Sequence, residues 1–345
     1  MNSTRLAPLP FIEPSSYGKR ALELLSSAAL KGAVRDAREL LKLDVDGIDE
    51  QDLLPRFDEC LRSVDRQVQA TARELAERFG RYLGYVLLTL TLDRSDPESR
   101  AYREYWSTIR TVWVGGGIVS GNLGRIMVDT ARRGLEAADS ALTLNVAPHT
   151  RMLPLVGAVR SLDPDTAVGL VYDFGGSFVK HGIATCDGGR LTGVRLLPQV
   201  PTPPVARSLP ENEAEVGRTL ADFMTRVIVH DWRTVVASGH SPSSRVVACI
   251  ASYVRDNQPK EYPGAGYPSL RHIGANAGDT LSQALSRQIG TDVRVTFLHD
   301  GTAAARVFAG QPHTAVLMLG TWLGVGFAPT VDRLTPMSPA LEVKL

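Results

Sequence analysis

Residues 168–180 read Val168-Gly-Leu-Val-Tyr-Asp-Phe-Gly-Gly-Ser-Phe-Val-Lys180. Two β-rich runs, 168–172 and 179–185, flank the segment Asp173-Phe-Gly-Gly-Ser177. This pattern predicts two strands joined by a tight turn. Because glycine has no Cβ atom, its backbone N–H can come close to an anion, and the turn is therefore a candidate phosphate site. A single glycine pair after a strand, however, is more often only a hairpin turn.

Two further glycine turns follow β-rich runs. Thr111-Val-Trp-Val114 leads into Gly115-Gly-Gly117, and Ala315-Val-Leu-Met-Leu319 leads into Gly320-Thr-Trp-Leu-Gly-Val-Gly326. A helical pattern follows the first of these turns, at 123–137. Strands and helices that alternate, with glycines at the strand ends, predict an α/β fold.

Hydrophobic periodicity predicts the other elements. Helices are expected at 19–43, 57–85, 213–229, 277–289 and 302–309, and strands near Leu191 and at 234–238, 245–250 and 293–298. Residues 198–210 contain five prolines, and we expect an ordered surface loop there rather than a helix or a strand.

Bulk composition narrows the class of function. A chain of 345 residues predicts about two domains. Its net charge of +1 gives no field that would attract nucleic acid or an anionic membrane. Three scattered cysteines indicate a reducing compartment, and the longest apolar run, 85–92, is too short to cross a bilayer. We expect a cytoplasmic protein with small-molecule partners, and neither nucleic acid nor membrane among them.

Three motifs together resemble those of the ROK branch, the glucokinase-like branch of the actin-like ATPase and sugar kinase superfamily. The first phosphate motif of that branch, D-x-G-G-T-x-x-K, is matched by Asp173, Gly175, Gly176, Ser177 and Lys180, with Ser for Thr. His299-Asp-Gly-Thr-Ala-Ala-Ala305 resembles the catalytic N-D-A-N-A-A-A. Residues 319–326 resemble the second phosphate motif, L-G-T-G-I-G-x-G, with Trp322 in place of a glycine.

The order of the motifs differs from the order in that family. The adenosine motif, a strand plus G-G-G near the family's C-terminus, is resembled by residues 112–117, which precede the first phosphate motif. The resemblance implies a two-lobed actin-like (ribonuclease H-like) α/β fold that is circularly permuted, which is plausible because domain termini lie at the surface. Residues 1–150 would begin the larger nucleotide-binding lobe, 151–297 would form the smaller lobe, and 298–345 would complete the larger one. The three glycine turns would then meet in one cleft.

The resemblance also implies the roles of individual residues in an ATP- and Mg²⁺-dependent kinase. Asp300 would be the catalytic base, and Asp173 would position Mg²⁺. The expected nucleotide-binding residues are Asp173, Gly175, Gly176, Ser177, Lys180, Gly320, Thr321, Gly324, Gly115, Gly116 and Gly117. The expected acceptor-binding residues are His299, Asp256, Asn257, Glu261 and Asn276. ATP and a sugar, amino sugar or cyclitol would be the partners, and a homodimer is the candidate assembly.

Simpler structural roles compete with these assignments. Asp173 could only cap its turn, Asp300 could only cap a helix, and Lys180 could lie on a solvated hairpin. The family's cysteine-rich zinc motif and its G-E-x-G-H sugar motif are absent, and His299 replaces its Asn. A non-catalytic sugar or nucleotide sensor is therefore the alternative function. A dinucleotide-dependent enzyme ranks last, because residues 115–121 lack the G-x-G-x-x-G spacing.

Overall fold

The computed structural model describes residues 1–45, 47–93, 100–163, 165–206, 211–261 and 266–344. The chain forms two compact units: unit 1 contains residues 1–151 and 313–327, and unit 2 contains 152–312 and 328–345. Both units are mixed α/β. This division differs from the expected one after residue 298, because the strand that ends at His299 pairs within unit 2.

The helices that the described residues form are numbered in chain order. They are α1 Ala21–Leu25, α2 Ser27–Asp36, α3 Arg38–Leu41, α4 Leu53–Cys60, α5 Arg66–Leu92, α6 Arg100–Thr108, α7 Asn122–Ala137, α8 Leu153–Val159, α9 Glu213–Ala237, α10 Ala277–Ile289 and α11 Asp300–Arg306.

The strands are numbered in the same way. They are β1 Thr111–Gly115, β2 Thr143–Val146, β3 Val168–Phe174, β4 Phe178–Asp187, β5 Arg190–Leu196, β6 Val200–Pro201, β7 Arg245–Ile250, β8 Val254–Arg255, β9 Gln258–Pro259, β10 Arg294–His299, β11 Thr314–Leu319, β12 Leu323–Phe327 and β13 Met337–Lys344.

Unit 1 is built on a four-stranded sheet with the order β12-β11-β1-β2. β11, β1 and β2 run parallel, and β12 is antiparallel to β11. The long helix α5 packs against α7 at a glycine, since a Cβ atom at Gly80 would lie 2.6 Å from the Met127 carbonyl oxygen. This close contact joins the two main helices of the unit.

Unit 2 is built on a sheet with the order β10-β7-β3-β4-β5-β13. β3, β4 and β5 form an antiparallel meander, while β7 and β10 run parallel to β3. Parallel neighbours need a crossover, and α9 and α10 supply the two crossovers. The carboxyl ends of β3, β7 and β10 therefore lie side by side at one edge of the sheet.

Side chains cover the outer edge of β10. The Ser282 hydroxyl of α10 accepts from Val295 N–H (2.9 Å), and Asn257 bonds both Val295 O (2.8 Å) and Phe297 N–H (2.7 Å). An edge strand with its polar groups satisfied in this way is a poor template for pairing with another chain.

Several sequence predictions need correction. Residues 19–43 form three short helices rather than one, and 57–85 divides between α4 and α5. The strand predicted at 234–238 is wrong, because α9 continues to Ala237 with Val235 buried in the core. Local β-propensity is overridden there by tertiary packing. The proline-rich segment forms the short strand β6 and buries Thr202, while residues 207–210 lie outside the described ones.

In the described part of the chain, no helix is both long enough and apolar enough to span a bilayer.

A buried ion pair ties β4 to α9. His181 Nδ1 lies 2.6 Å from Asp231 Oδ2, and its Nε2 lies 2.8 Å from the Pro198 carbonyl oxygen. Both side chains are 4% exposed. Burial alone would lower the pKa of His181, but the hydrogen bond and charge of Asp231, with the Pro198 carbonyl, raise it. The imidazole is thus held in its charged form, with both ring nitrogens donating.

We expect His181→Gln to lower the free energy of unfolding by about 3–5 kcal/mol, because it leaves the Asp231 carboxylate buried without its partner. Because the pKa of His181 is raised in the folded state, the contribution of its charge to the free energy of unfolding is fully present below about pH 6.5. That contribution is lost as the pH rises through the folded-state pKa. Urea unfolding between pH 5.5 and 9, with the exposed His240→Gln as control, measures it. A difference between wild type and variant that does not shrink with rising pH would contradict the charged pair.

Candidate phosphate-binding and acid–base site

Asp173 and Lys180 face each other across the β3–β4 hairpin. They occupy opposing positions in the ladder, and Lys180 Nζ lies 3.0 Å from Asp173 Oδ2. The Asp173 side chain is 7% exposed and that of Lys180 is 29% exposed. Because side chains alternate across a strand, the preceding pair, Tyr172 and His181, points to the opposite, buried face. Lys180 is therefore an ion-pair partner and not a solvated lysine.

The turn at residues 175–177 is held by side chains far away in sequence. The Gly175 carbonyl accepts from the Thr202 hydroxyl (3.0 Å) and from the Tyr267 hydroxyl (3.2 Å). Thr202 N–H also donates to the Ser177 carbonyl at 3.0 Å. The Gly175 and Ser177 carbonyls thus both accept hydrogen bonds from other parts of the chain. Thr202 and Tyr267 could not be predicted as partners of this turn, because neither belongs to a local motif.

Asp300 lies where β10 passes into α11. The helix cap is His299, whose side chain accepts from Thr302 N–H, so the interpretation of Asp300 as a plain N-cap is wrong. Asp300 Oδ1 accepts from Gly301 N–H (2.6 Å) and lies 3.1 Å from His299 Nε2. Its side chain remains 28% exposed.

The electrostatics of this sheet edge favour protonation of Asp300. Burial raises its pKa, and the nearby Asp173 raises it further, while His299, Gly301 N–H and Lys180 act in the opposite direction; the net shift is upward. Cys249 lies beside Asp173 in the β3–β7 register, and burial followed by these two carboxylates raises its pKa well above its usual range. The two acids and the buried thiol therefore lie at the carboxyl ends of β3, β7 and β10, and Lys180 lies opposite Asp173 near the start of β4.

The two glycine turns of unit 1 are also neighbours. β1 pairs with β11 up to Gly115 and Met318, so both turns leave the same edge of the sheet. Gly116 has φ 101°, and a Cβ atom there would lie 2.2 Å from the Leu319 carbonyl oxygen. Only glycine fits at this position, whereas Gly117 faces open space.

The turn at residues 320–322 is supported by the N-terminal segment. Ser27 N–H donates to the Gly320 carbonyl (2.8 Å), and the Asn2 side chain bonds both the N–H (2.9 Å) and the carbonyl (3.1 Å) of Leu323. Thr321 is exposed, and Gly324 is buried within β12 opposite Met318. The residues 1–27, which carry no part of the family resemblance, thus contact the second phosphate motif.

A recess of about 350 Å³ opens beside Gly117 in unit 1, lined partly by α4 and by Arg151. Asp58 of α4 lies at its base, where Oδ1 accepts from Leu123 N–H (2.7 Å) and Oδ2 accepts from the Asn122 side chain (3.1 Å). This carboxylate already occupies the N-terminus of α7, which is the place where a dinucleotide-binding fold needs a pyrophosphate. The dinucleotide alternative is disfavoured for that reason.

The expected acceptor residues have different surroundings. The Asn257 amide is hydrogen-bonded to Val295 and Phe297 of β10. Asn276 caps α10 by accepting from Asp279 N–H (3.1 Å). Their amides have structural roles, which removes the argument for substrate contact. Asp256 is exposed beside Arg255, and Glu261 is also exposed. Tyr253, which was not predicted, stacks on His299 at 4.7 Å between ring centroids and remains 44% exposed.

Few protein groups at this site could bind a metal ion. Among the described residues, no three His, Cys, Asp or Glu side chains are grouped as a metal site. Mg²⁺ commonly binds through one or two carboxylates, with water and substrate phosphates completing its shell. Asp173 fits that limited requirement, since only its Oδ2 is bonded to Lys180.

Comparisons with known proteins leave the family open. No family model and no curated protein matches the chain. Among solved structures, the ethanolamine utilization protein EutJ from Carboxydothermus hydrogenoformans matches with 20% identity and a TM-score of 0.28. The match covers 54% of this chain and 60% of that one. A TM-score this low does not establish a shared fold.

The coupling of the two acids predicts opposite effects of two substitutions. Asp173→Asn removes a repelling charge and should lower the pKa of Asp300, whereas Lys180→Met removes an attracting charge and should raise it. Carbon-detected NMR titration of the aspartate carboxyl groups measures both shifts. Asp256→Asn, at an exposed acid, is the control. Shifts of the same sign in the two variants would show that Asp300 does not sense this pair.

Proposed function

We propose that this chain transfers a phosphoryl group from ATP to a hydroxyl of a small polyhydroxylated acceptor, such as a sugar, an amino sugar or a cyclitol. The observation that carries the proposal is the pair of acids at the carboxyl ends of β3 and β10, the two strands that flank β7 in unit 2. Asp173 is neutralised by Lys180, whereas Asp300 has a raised pKa and keeps one oxygen without a described partner.

The roles of these residues follow from what phosphoryl transfer requires. The reaction needs positioning and stabilisation of charge more than covalent help from the protein. Asp300 Oδ2 is the group suited to take the proton of the attacking hydroxyl, because a general base works best when its pKa is raised toward the working pH. Mg²⁺, held near Asp173, would offset the negative charge of the phosphates.

The glycine turns are suited to hold phosphate oxygens. The Gly175 carbonyl accepts from Thr202 and Tyr267, and the Gly320 carbonyl accepts from Ser27. Gly175 N–H donates to the Asp173 carbonyl (3.0 Å), so the N–H groups of Gly176 and Ser177 are the proposed anion donors of that turn. We propose the 175–177 turn of unit 2, with the Ser177 hydroxyl, and the 320–322 turn of unit 1, with the Thr321 hydroxyl, each by itself as a phosphate site. The recess beside Gly117 is assigned to the adenosine.

Strand order supports the actin-like part of the proposal. In unit 2, an antiparallel meander of three strands is followed by two strands parallel to its first, in the order β5-β4-β3-β7-β10, which is the order expected of a ribonuclease H-like unit. In unit 1 the chain supplies β1 and β2 first, and β11 and β12 only after residues 152–312 of unit 2; residues 328–345 then return to unit 2. This interleaving supports the proposed circular permutation.

The substrate is identified by a screen of sugars and cyclitols with ATP and Mg²⁺, read by ADP release. A compound that accelerates ADP release and gains a phosphate supports the kinase. Binding of ATP and of a sugar without any turnover would favour the sensor instead.

With the acceptor in hand, Asp300→Asn should lower turnover by about two to four orders of magnitude, because the amide cannot take the proton. The dissociation constant for ATP should change little. Asp279→Asn, at an exposed acid in the first turn of α10, is the matched control and should keep wild-type turnover. Near-wild-type turnover of Asp300→Asn would remove it from the mechanism.

Asp173→Ala should weaken the use of ATP at limiting Mg²⁺ while leaving the fold intact. Its effect should be smaller at saturating Mg²⁺, because mass action then compensates for a weaker site. The measurement is turnover as a function of Mg²⁺ concentration, with the exposed Asp187→Ala as control. An unchanged Mg²⁺ dependence would contradict the metal role.

A further inference from the structure

His299 is held by three neighbours. Its Nδ1 accepts from Thr302 N–H (3.4 Å) and lies 3.3 Å from the Thr302 hydroxyl. Its Nε2 lies 3.1 Å from Asp300 Oδ1. Its ring is stacked on Tyr253 with an angle of 28° between the planes. The His299 side chain is 11% exposed.

These contacts select one tautomer. A backbone N–H can only donate, so Nδ1 must carry the lone pair in order to cap α11. In the neutral ring the proton then resides on Nε2, which points at a carboxylate oxygen. Nδ1 therefore caps the helix and Nε2 donates to the carboxylate, and both interactions favour the same tautomer, the one with its proton on Nε2.

We propose that His299 is a positioning residue for Asp300, and this inference rests on the proposed function. The neutral ring donates from Nε2–H to Asp300 Oδ1, which also accepts from Gly301 N–H. Two donors on one oxygen fix the plane of the carboxyl group and leave the lone pairs of Oδ2 directed at the acceptor hydroxyl. The Tyr253 ring keeps the imidazole in the plane that this donation needs.

The tautomer is measured without substrate. In protein labelled with ¹⁵N-histidine at about pH 8, where an ordinary imidazole is neutral, His299 should show a protonated Nε2 and an unprotonated Nδ1. The resonance is assigned by its absence in His299→Asn. A proton on Nδ1, or rapid exchange between the two tautomers, would overturn the proposal. This readout holds whether or not the protein is a kinase, so its failure is distinct from failure of the proposed function.

Turnover tests the positioning role. His299→Asn should retain the helix cap, since Asn caps well, but its short side chain loses the donor to Asp300. We expect thermal stability close to wild type and a fall of about 10- to 100-fold in kcat, with little change in ATP affinity. Wild-type kcat in a folded His299→Asn protein would overturn the proposal.

Tyr253 provides a second pair of variants that leaves His299 in place. Tyr253→Phe keeps the stacked ring and should keep the tautomer and kcat, whereas Tyr253→Leu should allow tautomer exchange and lower kcat in parallel. If Tyr253→Leu lowers kcat with the tautomer unchanged, the tyrosine acts on the substrate and not through His299, and its place in the proposal is lost.

Discussion

The register of β3 against β4 and β7 is the constraint on which the site in unit 2 depends. It places Asp173 opposite Lys180 on one side and beside Cys249 on the other. A slip of one residue would turn every side chain of β3 to the other face, which would separate Tyr172 from His181, on which it stacks, and place the carboxylate of Asp173 in an apolar core. The site therefore exists only in this register.

The buried His181–Asp231 pair fixes β4, the partner of β3 in that register, against α9. A slip of β4 would leave the Asp231 carboxylate without its partner in the core formed by α9, which is strongly destabilising. Two adjacent residues of β4 thus carry two ion pairs of different kinds. His181 is buried and holds β4 against α9, whereas the Lys180 side chain is partly exposed at the edge of the sheet. The His181–Asp231 pair stabilises the fold on one face of the sheet, and the Asp173–Lys180 pair places charged groups on the other.

The local sequence was sufficient to predict those features that depend on consecutive residues. The glycine turns follow strands as predicted, and Asp300 lies between a strand and a small-residue helix. What could not be predicted depends on partners far along the chain. Thr202 and Tyr267 engage the 175–177 turn, Asp58 caps a helix 65 residues away, and Asn257 serves β10 rather than a ligand. Spacing does indicate a different set of contacts, since serines at 282 and 286 repeat on one face of α10 and bond to the chain at and before β10.

The capping of α7 by Asp58 also bears on where phosphate can bind in unit 1. A helix N-terminus after a glycine-rich turn is ordinarily an attractive anion site. Here a protein carboxylate already accepts from Leu123 N–H, so a phosphate at that point would meet a negative charge instead of free donors. In the first glycine turn of unit 1, Gly116 N–H is also engaged, because it donates to the Thr150 carbonyl (2.9 Å). The strand, turn and helix that suggested a dinucleotide therefore lack the open helix N-terminus on which such a site depends.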